Sequence, residues 1–247
     1  MLLPIAAGLG ALVVAGYNTM SPTSQLYGRT FIGEERGSKR LALTYDDGPN
    51  DPHTLHLLDV LAGHNVKATF FVIGKFVQER PDIVRALAEA GHVVANHTYT
   101  HPNLIFRSAA ETRREIADCE AAVYDAIGSG ARLFRPPFGG RRPATLRAIR
   151  EAGYQPIMWS VTGYDWKATS ANQIVEKVAR QVNGGDVVLL HDGGHKRLGT
   201  DRSFTVRATD ELLRRYLGEG YEFVTVPEMM REDAGVRFHA LEKVGPS

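Results

Sequence analysis

Six short apolar runs, each handing polar residues to a loop, alternate with stretches of helical periodicity, and this alternation most constrains the fold. The runs cover residues 41–45, 68–74, 93–96, 132–134, 156–161 and 186–190, and each reads as a buried strand. Helical patterns lie over residues 81–90, 108–127, 143–152, 170–182 and 205–217. Gly91, Gly128, Gly153 and Gly184 stop several of them, and Ser or Pro stands near several starts. Apolar strands alternating with helices predict an α/β fold, a parallel sheet covered by helices, either as a closed barrel or as an open doubly wound sheet. Polar residues at strand C-terminal ends fit both.

A chain of 247 residues suits one large domain, and residues 38–230 contain no repeat, low-complexity stretch or linker. Glu232 to Ser247 reads as a loose polar end, so residues 231–247 are set apart as a C-terminal tail. The 29 basic residues are matched by 28 acidic ones, which removes the electrostatic argument for a nucleic-acid partner and favours a neutral or weakly charged substrate. No protein partner is indicated. The single cysteine, Cys119, allows no intramolecular disulfide and no thiolate metal cluster, and its helical surroundings point to core packing. Residues 1–16 are nearly all apolar or small and uncharged. The segment 1–20 is therefore read as signal-like or as a membrane anchor, although no Lys or Arg precedes it and it is short against the roughly 18 residues of a spanning helix. Secretion or attachment in the cell envelope is the resulting expectation.

The residues that carry chemistry sit where the strands end. His97 and His101 are four apart, a spacing that on a helical turn brings their Cβ atoms to within about 6 Å and lets both imidazoles share one metal ion. Asp46 and Asp47 end the first run. In extended backbone neighbours point to opposite faces, so a turn at Gly48-Pro49 is expected to bring both carboxylates into one cleft, one for the metal and one to accept a proton. Two histidines and a carboxylate form a common catalytic zinc set that leaves room for water and substrate.

Arg135 precedes Pro136-Pro137-Phe138-Gly139, a rigid turn suited to placing a guanidinium beside Asp46 and keeping that carboxylate ionised. Backbone N–H groups after Pro137 are candidates to face an oxyanion. His191 should emerge at the end of the last run as a general acid, with Asp165 orienting it and stabilising its charge. His53, His56, His64, His92, His195 and His239 lack comparable context and read as structural or solvent-facing.

Taken in order, T-Y-D-D-G-P, H-T-Y-T-H, R-P-P-F-G, D-W and L-L-H-D resemble the motifs of the polysaccharide deacetylases, the fourth carbohydrate-esterase family or NodB-homology domain, over about residues 38 to 228. The resemblance implies a distorted, incomplete (β/α) barrel with its site at the strand C-terminal face, the usual place in such barrels. It makes Asp46 the catalytic base and Asp47, His97 and His101 the ligands of a divalent metal, with zinc the default and cobalt, nickel or iron accepted by the same donors. Arg135 would position Asp46, and Asp165 would support His191 as general acid. Trp166 and Leu189 would form the apolar wall for an acetyl methyl, with Phe138 and Tyr164 further substrate contacts.

The implied reaction is removal of N-acetyl groups from a glycan such as peptidoglycan or chitin. The alternatives are O-acetyl-xylan esterase, lipid-linked sugar deformylase, and a glycan-binding protein without turnover. Two positions depart from the family pattern. Thr162 stands where a further aspartate is common, and Phe138 where tyrosine is usual.

Overall fold

The computed structural model describes residues 14–233. Of the segment 1–20, residues 1–13 lie outside the described residues and residues 14–20 are helical. Residues 234–247 of the expected tail also lie outside them. No helix among the described residues is long and apolar enough to cross a membrane.

One eight-stranded sheet organises the chain, and every strand pairing in it is parallel. In chain order the strands are β1 (Arg40–Gly48), β2 (Thr69–Val72), β3 (Val93–Asn96), β4 (Ala131–Phe134), β5 (Gln155–Pro156), β6 (Val161–Thr162), β7 (Asp186–His191) and β8 (Glu222–Phe223). They lie in the order β5-β4-β3-β2-β1-β7-β6, with β8 pairing the N-terminal end of β1.

Residues 156–161, expected as one strand, are divided between the two edges of this sheet. β5 pairs with β4 at one edge and β6 with β7 at the other. Between them Ile157 N–H donates to the Phe134 carbonyl, whereas Ser160 N–H donates to the Val187 carbonyl. A single stretch of chain thus brings the two edges of the sheet together without pairing β5 to β6. The result is a curled, incomplete (β/α) barrel.

Burial follows the alternation of side chains along each strand. Leu41, Leu43 and Tyr45 of β1 join Phe70, Val94 and Val188 in the core packed against the helices. Ala42, Phe71, Ala95, Leu133 and Val187 join Met229 in the barrel interior. Both sheet faces are therefore apolar, which is why the strands read as continuous hydrophobic runs. Cys119 is fully buried in the outer core, as its sequence context suggested.

The helices α3 (Pro81–Glu89), α4 (Ala109–Ile127), α5 (Pro143–Glu151), α6 (Ala171–Ala179) and α7 (Ser203–Gly218) follow the sequence periodicity closely. Ser108 and Glu111 close a capping box at the start of α4, and Gly128 ends it in left-handed backbone at φ 78°. Three helices escaped the sequence reading: α1 (His53–Gly63), α2 (Gly74–Glu79) and α8 (Val226–Asp233). Neither α1 nor α2 has a side-chain cap. α8 begins Val226-Pro227, shortly after β8 and without a run of helical periodicity long enough to announce it.

Residues ahead of β1 also pack on the barrel. Arg141 is 1% exposed. Its Nη2 donates to the carbonyls of Ser21 at 2.6 Å and Ser24 at 2.8 Å, its Nη1 donates to that of Gly139 at 3.1 Å, and its backbone N–H donates to that of Thr19.

Candidate active site

The strand C-terminal ends converge on a cleft of about 300 Å³ lined by Asp46, Asp47, His97, His101, Phe138, Trp166, Leu189 and His191, together with Gly139, Trp159, His195 and Arg202. Arg135 and Asp165 stand directly behind this lining, both buried.

A bulge, rather than the expected Gly48-Pro49 turn, directs both β1 carboxylates into the cleft. β1 runs on through Gly48, and its pairing with β2 slips between Asp46 and Gly48. Asp47 occupies the extra position with φ 73°, a left-handed backbone that costs energy for a residue bearing a Cβ. The opposing β7 loop passes so close that a Cβ on Gly193 would lie 2.2 Å from the Asp47 carbonyl oxygen.

The expectation of a helical turn for His97 and His101 is also corrected. Residues 97–101 form a loop, with Thr98 at φ 70° and His101 at φ 60°. Side chains replace helical hydrogen bonding there: Asn96 Oδ1 accepts from Thr98 N–H, Thr98 Oγ1 from His101 N–H, and Glu115 Oε2 from the N–H groups of Tyr99 and Thr100. The imidazole centroids still come within 4.9 Å.

His97 Nδ1–H donates to the Arg135 carbonyl at 2.8 Å, which leaves Nε2 as the free lone pair. That Nε2 lies 3.6 Å from Asp47 Oδ1, and His101 Nε2 lies 3.2 Å from the same oxygen. The donor atoms of Asp47, His97 and His101 all fall within 4.8 Å of one another. Asp47 Oδ1 is buried and accepts no hydrogen bond. A buried carboxylate oxygen with no donor, facing two imidazole nitrogens, fits a divalent cation of the kind that takes nitrogen and oxygen ligands. Burial opposes the charge on Asp47, but His195 and the neighbouring His101, His191 and His97 outweigh it and hold the carboxyl well below its usual range. His101 is pushed down to about 3, first by burial and then by His97, so it is a neutral donor at neutral pH.

Asp46 faces the same space from a different support. Its Oδ1 accepts from Arg135 Nη1 at 2.7 Å, and its Oδ2 lies 3.6 Å from His97 Nε2. Arg135 is 0% exposed, donates also to Thr44 Oγ1 and the Met158 carbonyl, and lies 4.1 Å from the Phe71 ring centroid. These contacts leave the guanidinium one orientation and so fix the carboxylate it holds.

Across the cleft, Asp165 accepts twice from His191, from the backbone N–H at Oδ2 and from ring Nδ1–H at Oδ1, each at 2.8 Å. Thr205 Oγ1 donates to Asp165 Oδ2 at 2.9 Å. Burial disfavours the imidazolium, but the charge and hydrogen bond of Asp165 outweigh it and His191 is pushed up to about 9. Its Nε2 edge is thereby a proton donor at neutral pH. Thr162 is buried and clamped by Gln181, whose Nε2 donates to the Thr162 carbonyl and whose Oε1 accepts from Thr162 N–H.

The walls are apolar. Leu189 is buried, Trp166 packs edge-on to His191 with centroids 5.1 Å apart, and Phe138, in left-handed backbone at φ 59°, packs 4.6 Å from His101. Tyr164 lies outside the cleft lining, 5.4 Å beyond Trp166.

His195, which had no sequence context, stacks on His101 at 4.7 Å with 21° between planes, and its Nδ1 is 3.8 Å from Asp47 Oδ2. Trp159 and Arg202 were missed as well. A signal for His195 existed in Gly193-Gly194, since paired glycines after a strand end mark close backbone approach. Asp192 was also passed over. Burial pushes its carboxyl up to about 7, and its Oδ2 accepts from Thr54 Oγ1. His92 behaves as structural, buried with Nδ1 accepting from Ala68 N–H.

The polysaccharide deacetylase family model matches residues 33–157. A chitooligosaccharide deacetylase of Bradyrhizobium is 38% identical over 208 residues, covering 81% of this chain and 95% of the relative. The peptidoglycan-N-acetylglucosamine deacetylase PgdA of Listeria monocytogenes is 37% identical over 201 residues, covering 81% of this chain. That alignment takes in 41% of the Listeria protein, so the chain spans less than half the length of that relative. Among solved structures, the Bc1960 peptidoglycan N-acetylglucosamine deacetylase in complex with a naphthalenyl N-oxidanyl-benzamide superposes with a TM-score of 0.76 at 35% identity, covering 81% of this chain and 92% of that one.

Proposed function

The chain belongs to the polysaccharide deacetylase family, and we propose that it is a metal-dependent hydrolase that removes N-acetyl groups from a glycan containing N-acetylglucosamine, releasing acetate. The observation that carries this reading is the unsatisfied Asp47 Oδ1 facing two imidazole nitrogens, with a second carboxylate pinned alongside by a buried arginine.

Asp47, His97 and His101 would hold the cation, and their mixed nitrogen and oxygen donors favour zinc, with cobalt, nickel or iron also suited. When bound, such an ion supplies Lewis-acid polarisation of a carbonyl and makes water more acidic. Asp46 takes the proton from the attacking water, and Arg135 keeps it aimed. As the acetamide carbon becomes tetrahedral, backbone N–H at the Phe138 turn faces the developing oxyanion. His191 passes its proton to the departing amine while Asp165 carries the balancing charge. The amide C–N bond breaks, water oxygen stays with the acyl carbon, and the products are acetate and a free amino sugar. Leu189 and Trp166 exclude water from the acetyl methyl.

Action on a cell-wall glycan would place the protein in the cell envelope or outside the cell, consistent with the relatives named as peptidoglycan deacetylases.

The test is acetate release from N-acetylated oligosaccharides by metal-loaded protein, by chelator-treated protein and by Asp46→Asn. Loaded protein should release acetate, chelation should stop it until metal is restored, and Asp46→Asn should bind metal without turnover. Full activity after chelation would refute metal dependence, and no release from any acetylated glycan would leave a glycan-binding protein.

A further inference from the structure

We propose that the hollow beyond Trp166 is a second sugar subsite that takes a carboxylate-bearing residue, next in the glycan to the N-acetylhexosamine held in the cleft. The inference rests on the deacetylase reading and narrows its substrate class.

The hollow, about 570 Å³, is lined by Gly163, Tyr164, Lys167, Ala168, Gln173 and Lys177. It adjoins the cleft through aromatic contact, since the Tyr164 ring lies 5.4 Å from Trp166, and Trp166 lies 5.1 Å from His191. A glycan whose reacting sugar sits against His191 would therefore run over these two rings. Tyr164 is 44% exposed and Trp166 42%, a large apolar area to leave in water. The Tyr164 backbone adds to the case. It is left-handed at φ 50°, a strained state for a residue with a side chain, and Thr162 Oγ1 holds it by accepting from its N–H. An exposed ring pair beside a cleft, one ring of it held in strained backbone, suits the apolar face of a sugar.

The polar residues of the hollow select the sugar. Lys177 Nζ lies 5.5 Å from the Tyr164 ring centroid, and Lys167 follows Trp166 directly. Among the described residues neither lysine forms an ion pair, and Glu176, next to Lys177 in sequence, pairs with Arg180. Gln173 Oε1 accepts from Thr169 N–H, which leaves its NH2 group as a donor toward the hollow. Two ammonium groups and an amide donor beside an aromatic platform complement a carboxylate on a sugar. The chain's net charge of +1 pointed to a neutral substrate, but a whole-molecule charge averages over such a local cluster. A neutral N-acetylglucosamine homopolymer would leave these two lysines without a partner.

The experiment compares kcat/KM for acetate release from three glycans. These are an N-acetylglucosamine homo-oligomer, a strand alternating N-acetylglucosamine with a carboxylate-bearing hexosamine, and that strand with its carboxylates amidated. Each is assayed with parent and with the Lys167→Gln/Lys177→Gln double variant, at low and high ionic strength. The parent should prefer the acidic strand, and amidation, high salt or the double substitution should each lower the acidic-to-neutral ratio by about five-fold, the scale of two exposed ion pairs. An unchanged ratio in the double variant, or a parent indifferent to amidation, overturns the subsite. Release from none of the glycans refutes the deacetylase reading, and the subsite is then decided by binding of the same glycans to parent and double variant, with a preference for the acidic strand that the lysine substitutions abolish as the supporting result.

Discussion

His97 donates its Nδ1 proton to the main-chain carbonyl of Arg135, the residue whose guanidinium pairs with Asp46. One residue thus fixes the tautomer of an imidazole in the Asp47–His97–His101 cluster through its backbone and the aim of the neighbouring carboxylate through its side chain. The two functions are separable by mutation.

Replacing Arg135 with Ala keeps the carbonyl that His97 needs but leaves the buried Asp46 carboxyl without its guanidinium partner. Stability should fall by about 3–5 kcal/mol in urea unfolding at neutral pH. Acetate release should fall about 100-fold, the scale of a mispositioned base, while zinc affinity changes only a few-fold. Loss of metal in step with activity would show that the two roles are not independent.

The charge on His191 gives a pH dependence whose sign is fixed. Its folded value of about 9 lies above the ordinary 6.5, so its contribution to stability is complete below 6.5 and is lost as pH rises through about 9. Imidazole NMR titration of metal-free protein should place the midpoint near 9 in the parent and closer to 6.5 in Asp165→Asn. A parent midpoint at or below 6.5 would remove His191 as the proton donor at neutral pH.

Gly193→Ala tests whether the carboxylate bulge depends on its neighbour. The added Cβ would sit 2.2 Å from the Asp47 carbonyl oxygen, a backbone atom that moves only if the bulge moves. Zinc affinity, measured by competition with a chromogenic chelator, should weaken about tenfold or more, as when ligand orientation is lost. Parent affinity would mean that the bulge yields without disturbing Asp47.

Arg141 offers a test of the segment ahead of β1. Arg141→Ala removes the donor to the carbonyls of Ser21, Ser24 and Gly139, and the cost should be on the order of 3 kcal/mol in urea unfolding. Arg141→Lys should recover part of this. A loss below about 0.5 kcal/mol, the range of an ordinary surface change, would show that residues 19–24 are held by other contacts.

The local signals in the sequence were strong where a single element carries them. Tyr45, Phe70, Val94 and Val188 announce strands because both sheet faces are dry, and Ser108 with Glu111 announces α4 because a capping box is a local hydrogen-bond pattern. α1 went unread because its apolar residues, Leu55, Leu57, Leu58, Val60 and Leu61, do not fall on a single helical stripe, and α2 because its 6 residues are too few to show a period.

From its own residues the chain determined an α/β domain of parallel strands, the strand ends that carry Asp46, Asp47, His97, Arg135 and His191, and through its ordered motifs the family. Tertiary structure alone decided how those ends meet. The β1 bulge turns two adjacent carboxylates the same way, the left-handed loop joins His97 to His101 without a helix, and the β7 loop delivers His195 from nearly 100 residues away in sequence. Periodicity and capping act over a few residues. Convergence instead depends on how far the sheet curls and where distant backbones touch, and contacts of that range are fixed only when the whole core packs.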